Sequence, residues 1–107
     1  MARRNLNAYL RDIIDIIDTL QESFGDCTVS DLKDVTKKWA VERGISIIGE
    51  ALFQANSLNK NSPIKDISKI IATRHILIHE YEFVDPIILV DIINTHLPLL
   101  KKEVDEI

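Results

Sequence analysis

Glycine and proline are scarce in this chain, three of each in 107 residues, and cysteine occurs once, at Cys27. A single thiol excludes an intrachain disulfide and a cysteine-built zinc cluster, and leaves Cys27 as an inert thiol at a helix junction. There is no basic surplus either: the formal net charge is -4 and the isoelectric point is near 5.3. Proteins that hold nucleic acid through a general cationic surface carry the opposite balance, so any RNA site here must be a local basic patch. Residues 1–5 are basic at Arg3 and Arg4, but no apolar run of signal-peptide length follows, and no later run is long enough to span a bilayer. A cytoplasmic protein with no membrane role is the expectation.

What the chain does have is 46% hydrophobic and 28% charged residues, with isoleucine recurring at helical intervals. That composition predicts one packed helical domain, residues 1–107, rather than a disordered chain. In residues 5–24 the apolar positions Leu10, Ile13, Ile14, Ile17, Leu20 and Phe24 form a stripe opposite Arg11, Asp15, Asp18 and Glu22. Gly25-Asp26 ends this helix, and Thr28 or Ser30 can cap a short turn through Val35. A long helix over residues 37–57 carries one stripe of Trp39, Val41, Ile45, Ile48, Leu52 and Ala55 and a second begun by Ala40, Ile47, Ala51 and Leu58. Two stripes imply two packing neighbours. Gly44 and Gly49 inside it are each unfavourable by about 1 kcal/mol relative to Ala, which points to close backbone approach by another helix.

Residues 56–62 read as a polar loop, and Ser62-Pro63 as a cap followed by proline at the first position of a third helix over residues 63–79. Asp85-Pro86 repeats that signal for the last helix. Pro98 lies within it and removes the bond to the carbonyl of Asn94, predicting a kink or break. The architecture expected is all-α: an antiparallel four-helix bundle with one additional short helix.

The segment Arg74-His75-Ile76-Leu77-Ile78-His79-Glu80-Tyr81 combines a permanent cation, a group that titrates near neutral pH and a phenol. Arginine can neutralise a phosphorane and histidine can move the proton of a ribose hydroxyl, so the string suits phosphodiester chemistry. Residues five apart on a continuous helix differ by about 140° in direction. Arg74 and His79 therefore meet only if the helix ends near His79 or if a twofold axis brings Arg74 of one chain to His79 of another. His75 and His79 stand at a metal-ligand spacing, but no third ligand is indicated, and no metal or cofactor is expected. Trp39 and Phe53 are read as core or interface rather than as base-stacking platforms.

Tyr9-Leu10-Arg11-Asp12-Ile13, Ala40-Val41-Glu42-Arg43, Ile47-Ile48-Gly49-Glu50-Ala51, the segment at residues 74–81, Val84-Asp85 and Leu97-Pro98-Leu99-Leu100-Lys101 together resemble the HepT-like branch of the HEPN family. The resemblance covers nearly the whole chain. It implies a small helical bundle acting as a metal-independent endoribonuclease toxin, with the R-x-x-x-x-H pair, here Arg74 and His79, catalytic at a homodimer interface. It also implies an antitoxin partner, an MNT-type nucleotidyltransferase that places AMP on the tyrosine two residues after the histidine, here Tyr81. His75 stands where that family's motif usually has a polar residue, most often asparagine. Glu50 is either a carboxylate that binds Arg74 or a solvated or capping position, and Lys69, with Lys65, either tracks an RNA backbone or belongs to a solvated face. The other class of function compatible with the chain is a non-catalytic helical module that partners a nucleotidyltransferase.

Overall fold

The computed structural model describes residues 5–58, 68–79 and 84–106, and gives the backbone alone for Ser68, Lys69, Ile78 and His79. The described residues form α1 (Leu6–Phe24), a 3-10 turn (Asp31–Lys33), α2 (Val35–Leu58), α3 (Ser68–His79), α4 (Pro86–Asp91), a π turn (Ile92–His96) and α5 (Leu97–Asp105). With α4, the π turn and α5 making one rod, this is the all-α four-helix bundle with a short extra turn that the periodicity predicts. The caps at Ser62-Pro63 and the start of the third helix lie outside the described residues. Asn56 and Ser57, expected in a loop, continue α2, which runs to Leu58.

α1, α2 and α4 start where a side chain satisfies a free backbone N–H group. Asn5 Oδ1 accepts from the Ala8 N–H at 2.9 Å, and Asp85 Oδ1 accepts from the Ile87 N–H at 2.9 Å, with Pro86 following as the first helical residue. Thr28 and Asp31 cap the 3-10 turn reciprocally, at 2.9 and 3.2 Å; Ser30, the other candidate, makes no capping bond. At the end of α1 the left-handed residue is Asp26, at φ 57°, rather than Gly25. Asp tolerates that conformation better than most non-glycine residues.

α2, with 24 residues, spans about 36 Å at 1.5 Å per residue, close to the 38 Å long axis of the molecule. It is the central element, packed on α1 along one side and α3 along another, while α5 closes against α1. Ile13 and Ile17 of α1, Ile45, Ile48 and Leu52 of α2, Ile70 of α3 and Leu89, Ile92, Ile93, Leu97 and Leu100 of the last rod are almost fully buried. Each such side chain contributes about 1.5–3 kcal/mol of burial. Trp39 corrects the predicted stripe: it is 66% exposed, because it stands two residues, about 200°, from buried Val41.

Both interior glycines sit at close approaches. A Cβ on Gly44 would lie 2.8 Å from Leu20 Cδ1 of α1, and one on Gly49 would lie 2.6 Å from Arg74 Cβ of α3. The two packing neighbours of α2 are thus each admitted by a missing methyl.

Pro98 does not end the helix, which continues through the π turn into α5. The Leu97 N–H reaches back five residues to the Ile92 carbonyl, the π register. In that register the Ile93 carbonyl would look to Pro98, which has no N–H. Gln21 of α1 supplies the donor instead, its Nε2 bonding the Ile93 carbonyl at 2.7 Å. The same turn aims Asn94 at the loop after α1, where it accepts from the Cys27 N–H at 3.1 Å and donates to the Cys27 carbonyl at 2.7 Å.

Candidate active site

Arg74 lies on α3 where that helix crosses Gly49 of α2. The residue after that glycine, Glu50, meets the guanidinium: Arg74 Nη2 and Glu50 Oε2 are 2.5 Å apart. Gln54, one turn along α2, donates from Nε2 to Glu50 Oε1 at 3.0 Å and fixes the carboxylate from the other side. Glu50 is therefore the carboxylate that holds Arg74, the first of the two roles its sequence position left open. The side chains are 26% exposed for Arg74 and 45% for Glu50. An ion pair so open to water contributes about 0–1 kcal/mol, so its main effect is orientation rather than stability. The buried Nε of Arg74 has no hydrogen-bond partner among the described residues.

The pair borders an open pocket of about 470 Å³. Tyr9 and Asp12 of α1, Arg43, Ser46, Ile47, Glu50 and Ala51 of α2, and Arg74 and Leu77 of α3 line it. Two guanidiniums and two carboxylates thus face a cavity with an apolar side, a setting in which one cation can engage a phosphate while a carboxylate keeps it in place. Nearby on α2, burial pushes the Glu42 carboxyl up, against the opposing pull of Lys38.

Among the residues singled out by sequence, the structure brings Arg74 and Glu50 together. His75 follows Arg74 on α3, exposed and outside the pocket lining. The side chains of His79 and Lys69, and all of Tyr81, lie outside the described residues. Sequence reasoning gave no role in the site to Tyr9, Asp12, Arg43 or Ser46. For Arg43 and Ser46 the signal was present: with Glu50 they recur at steps of three and four, one face of a helix. Among the described residues no group of three or more His, Cys, Asp or Glu converges as metal ligands would, and no helix is long and apolar enough to cross a membrane.

The family described as Ribonuclease HepT-like matches residues 10–107. The chain belongs to this family. MJ1380 of Methanocaldococcus jannaschii, provisionally named an RNase, is 31% identical over 107 residues, covering 98% of this chain and 98% of the relative. A second protein of that organism provisionally named an RNase, MJ0125, is 27% identical over 109 residues, covering 100% of this chain and 94% of the relative. No solved structure matches. The string Arg74 to His79 lies within the matched residues, and its arginine is paired with Glu50, which Gln54 in turn holds.

Proposed function

We propose that this HepT-like ribonuclease is a homodimeric, metal-independent endoribonuclease in which Arg74 and His79 cut RNA. The observation that carries the reading is the Arg74 guanidinium fixed by Glu50 at 2.5 Å beside the pocket. His79 takes the proton from a ribose 2'-hydroxyl. The oxygen attacks the adjacent phosphorus, Arg74 stabilises the dianionic transition state, and the 5'-oxygen leaves with a proton from the second His79 of the dimer or from His75. The products are a 2',3'-cyclic phosphate and a 5'-hydroxyl. Positioned acid–base groups supply about 10²–10⁴ in rate, which suits a toxin better than a digestive nuclease. A twofold arrangement is supported by α3 carrying both residues in helical backbone, where their directions differ by about 140°.

The biological setting that accompanies this reading is a cytoplasmic toxin–antitoxin pair. An MNT-type nucleotidyltransferase transfers AMP from ATP to the Tyr81 hydroxyl, and the added bulk and negative charge exclude an RNA phosphate from Arg74.

The test is cleavage of cellular RNA in chelator by purified, unmodified protein, comparing wild type with Arg74→Ala and His79→Ala at matched folding. Wild-type cleavage with cyclic phosphate ends, lost in both variants, is the expected result. No cleavage by any of them, with Tyr81 unmodified by mass, replaces the enzyme with the non-catalytic partner module. For the antitoxin, an adenylate mass increment that survives Tyr81→Phe rejects that acceptor.

A further inference from the structure

We propose that the outward face of α2 is the surface on which two copies of this chain pair, and that the partner's Arg43 completes the active site by reaching the Glu50 that holds Arg74. The inference rests on the homodimer proposed above and adds which face forms it and what crosses it.

Opposite its buried stripe α2 presents Trp39, Arg43, Ser46, Glu50 and Phe53. Their steps of four, three, four and three average 3.5 residues, the period of a helix–helix seam. Trp39 is 66% and Phe53 50% exposed, two large aromatic surfaces about 21 Å apart along one helix. The pattern is also self-complementary. Trp39 and Phe53 stand seven residues to either side of Ser46, and Arg43 and Glu50 stand three before and four after it. An antiparallel pairing of two α2 helices about a twofold axis at Ser46 therefore sets Trp39 against the partner's Phe53 and Arg43 against the partner's Glu50. Each contact is made twice, as an isologous interface requires. The residue on the axis is small and permits close approach.

The charges fit the same occupant. Arg43 has no ion pair or hydrogen bond among the described residues, although it lines the pocket that Glu50 and Arg74 share. Glu50 uses Oε2 for Arg74 and Oε1 for Gln54, and a carboxylate has room for further donors. Across the seam each arginine meets a carboxylate. RNA fits the seam from Trp39 to Phe53 less well, because Glu50 offsets its one arginine, Arg43, and leaves no net positive field there. Once the partner's guanidinium shares Glu50, the carboxylate neutralises Arg74 less, and more of the Arg74 charge is free for a phosphate. Arg43 is thus a positioning residue acting through Glu50.

A cysteine on the axis tests the geometry directly. In a Cys27→Ala background, Ser46→Cys is expected to form an interchain disulfide on mild oxidation, whereas cysteine at exposed Thr19 of α1 is not. By sedimentation equilibrium the wild type is expected at twice its 12.2 kDa monomer mass, with Trp39→Glu raising the dimer dissociation constant at least 100-fold. Ile87→Glu, at an equally exposed apolar position on α4, leaves it unchanged. Arg43→Gln, assayed at concentrations where it remains dimeric, lowers kcat several-fold, and Arg43→Lys restores it. A wild type that is monomeric throughout sinks the homodimer itself. A dimer that Trp39→Glu leaves intact, with no Ser46→Cys crosslink, overturns only this face. A Trp39→Glu protein that stays dimeric and loses RNA binding assigns the face to RNA, and an unchanged kcat in dimeric Arg43→Gln overturns the role of Arg43.

Discussion

Gly49→Ala probes the link between packing and chemistry because it adds one methyl where α2 meets the arginine of α3. The new Cβ would lie 2.6 Å from Arg74 Cβ and 3.2 Å from its Cγ and Cδ, against the 3.4 Å or more of ordinary contact. The nearest of these atoms is fixed to the α3 backbone, so the helix itself must retreat, by about 0.8 Å at that point if the contact is to become ordinary. Alanine gains about 1 kcal/mol of helix propensity over glycine, and overpacking costs about 1–3 kcal/mol, for a net destabilisation of about 0–2 kcal/mol. Gly44→Ala on the same helix supplies the control. Its close contacts are the side-chain carbons of Leu20, at 2.8–3.0 Å, and the ends of that side chain can turn away, so the net change should be near zero. The larger effect of Gly49→Ala is on activity. Misplacing a reacting group by about 1 Å can cost 10²-fold, so a loss of roughly 10- to 100-fold in RNA cleavage is expected beside near-native cleavage for Gly44→Ala. Urea midpoints at constant m-value read the stability and cleavage rates read the site. A Gly49→Ala protein as stable as Gly44→Ala, and cutting RNA like wild type, would refute the close approach as the determinant of Arg74 placement.

Gln21→Ala strips the donor from the Ile93 carbonyl and should destabilise by about 1–3 kcal/mol, measured as a lower urea midpoint, while leaving cleavage intact in the folded population. Asn94→Ala removes both bonds to the Cys27 backbone and should destabilise by a similar amount, about 1–3 kcal/mol, with faster amide exchange at residues 27–31. Glu50→Gln keeps the shape of the side chain but releases Arg74 from its counter-charge; KM for RNA should fall or hold while kcat drops as the guanidinium loses its fixed orientation, and a wild-type kcat would show that orientation does not depend on Glu50. Burial, with the Asp31 charge adding to it, raises the Cys27 thiol above its ordinary value. Its stability contribution is therefore present below the unfolded-state value of about 8.5 and declines as pH rises from there through the folded value. Denaturation midpoints between pH 7 and 10 should fall more steeply for wild type than for Cys27→Ala.

The helices were legible in the order of residues because each is specified locally. The period of the isoleucines and leucines, the Asx caps at Asn5 and Asp85, and Pro86 just after the second cap act within a turn or two of themselves. The glycines were legible as points of close approach, since glycine within a helix interior needs a reason. Which side chain each admits was not, because Leu20 and Arg74 reach α2 only through the tertiary arrangement. The same divide runs through the site. The R-x-x-x-x-H string marked Arg74, but a choice between a paired and a solvated Glu50 depends on a helix 24 residues away in sequence, and only the packing of α3 on Gly49 decides it. Pro98 shows the divide most clearly. Its missing N–H is a property of one residue, whereas the π register also leaves the Ile93 carbonyl without a helical donor. That register is accommodated because Gln21, on another helix, supplies the donor: covalent chemistry determines which bond is lost, and the surrounding fold determines where the loss is absorbed.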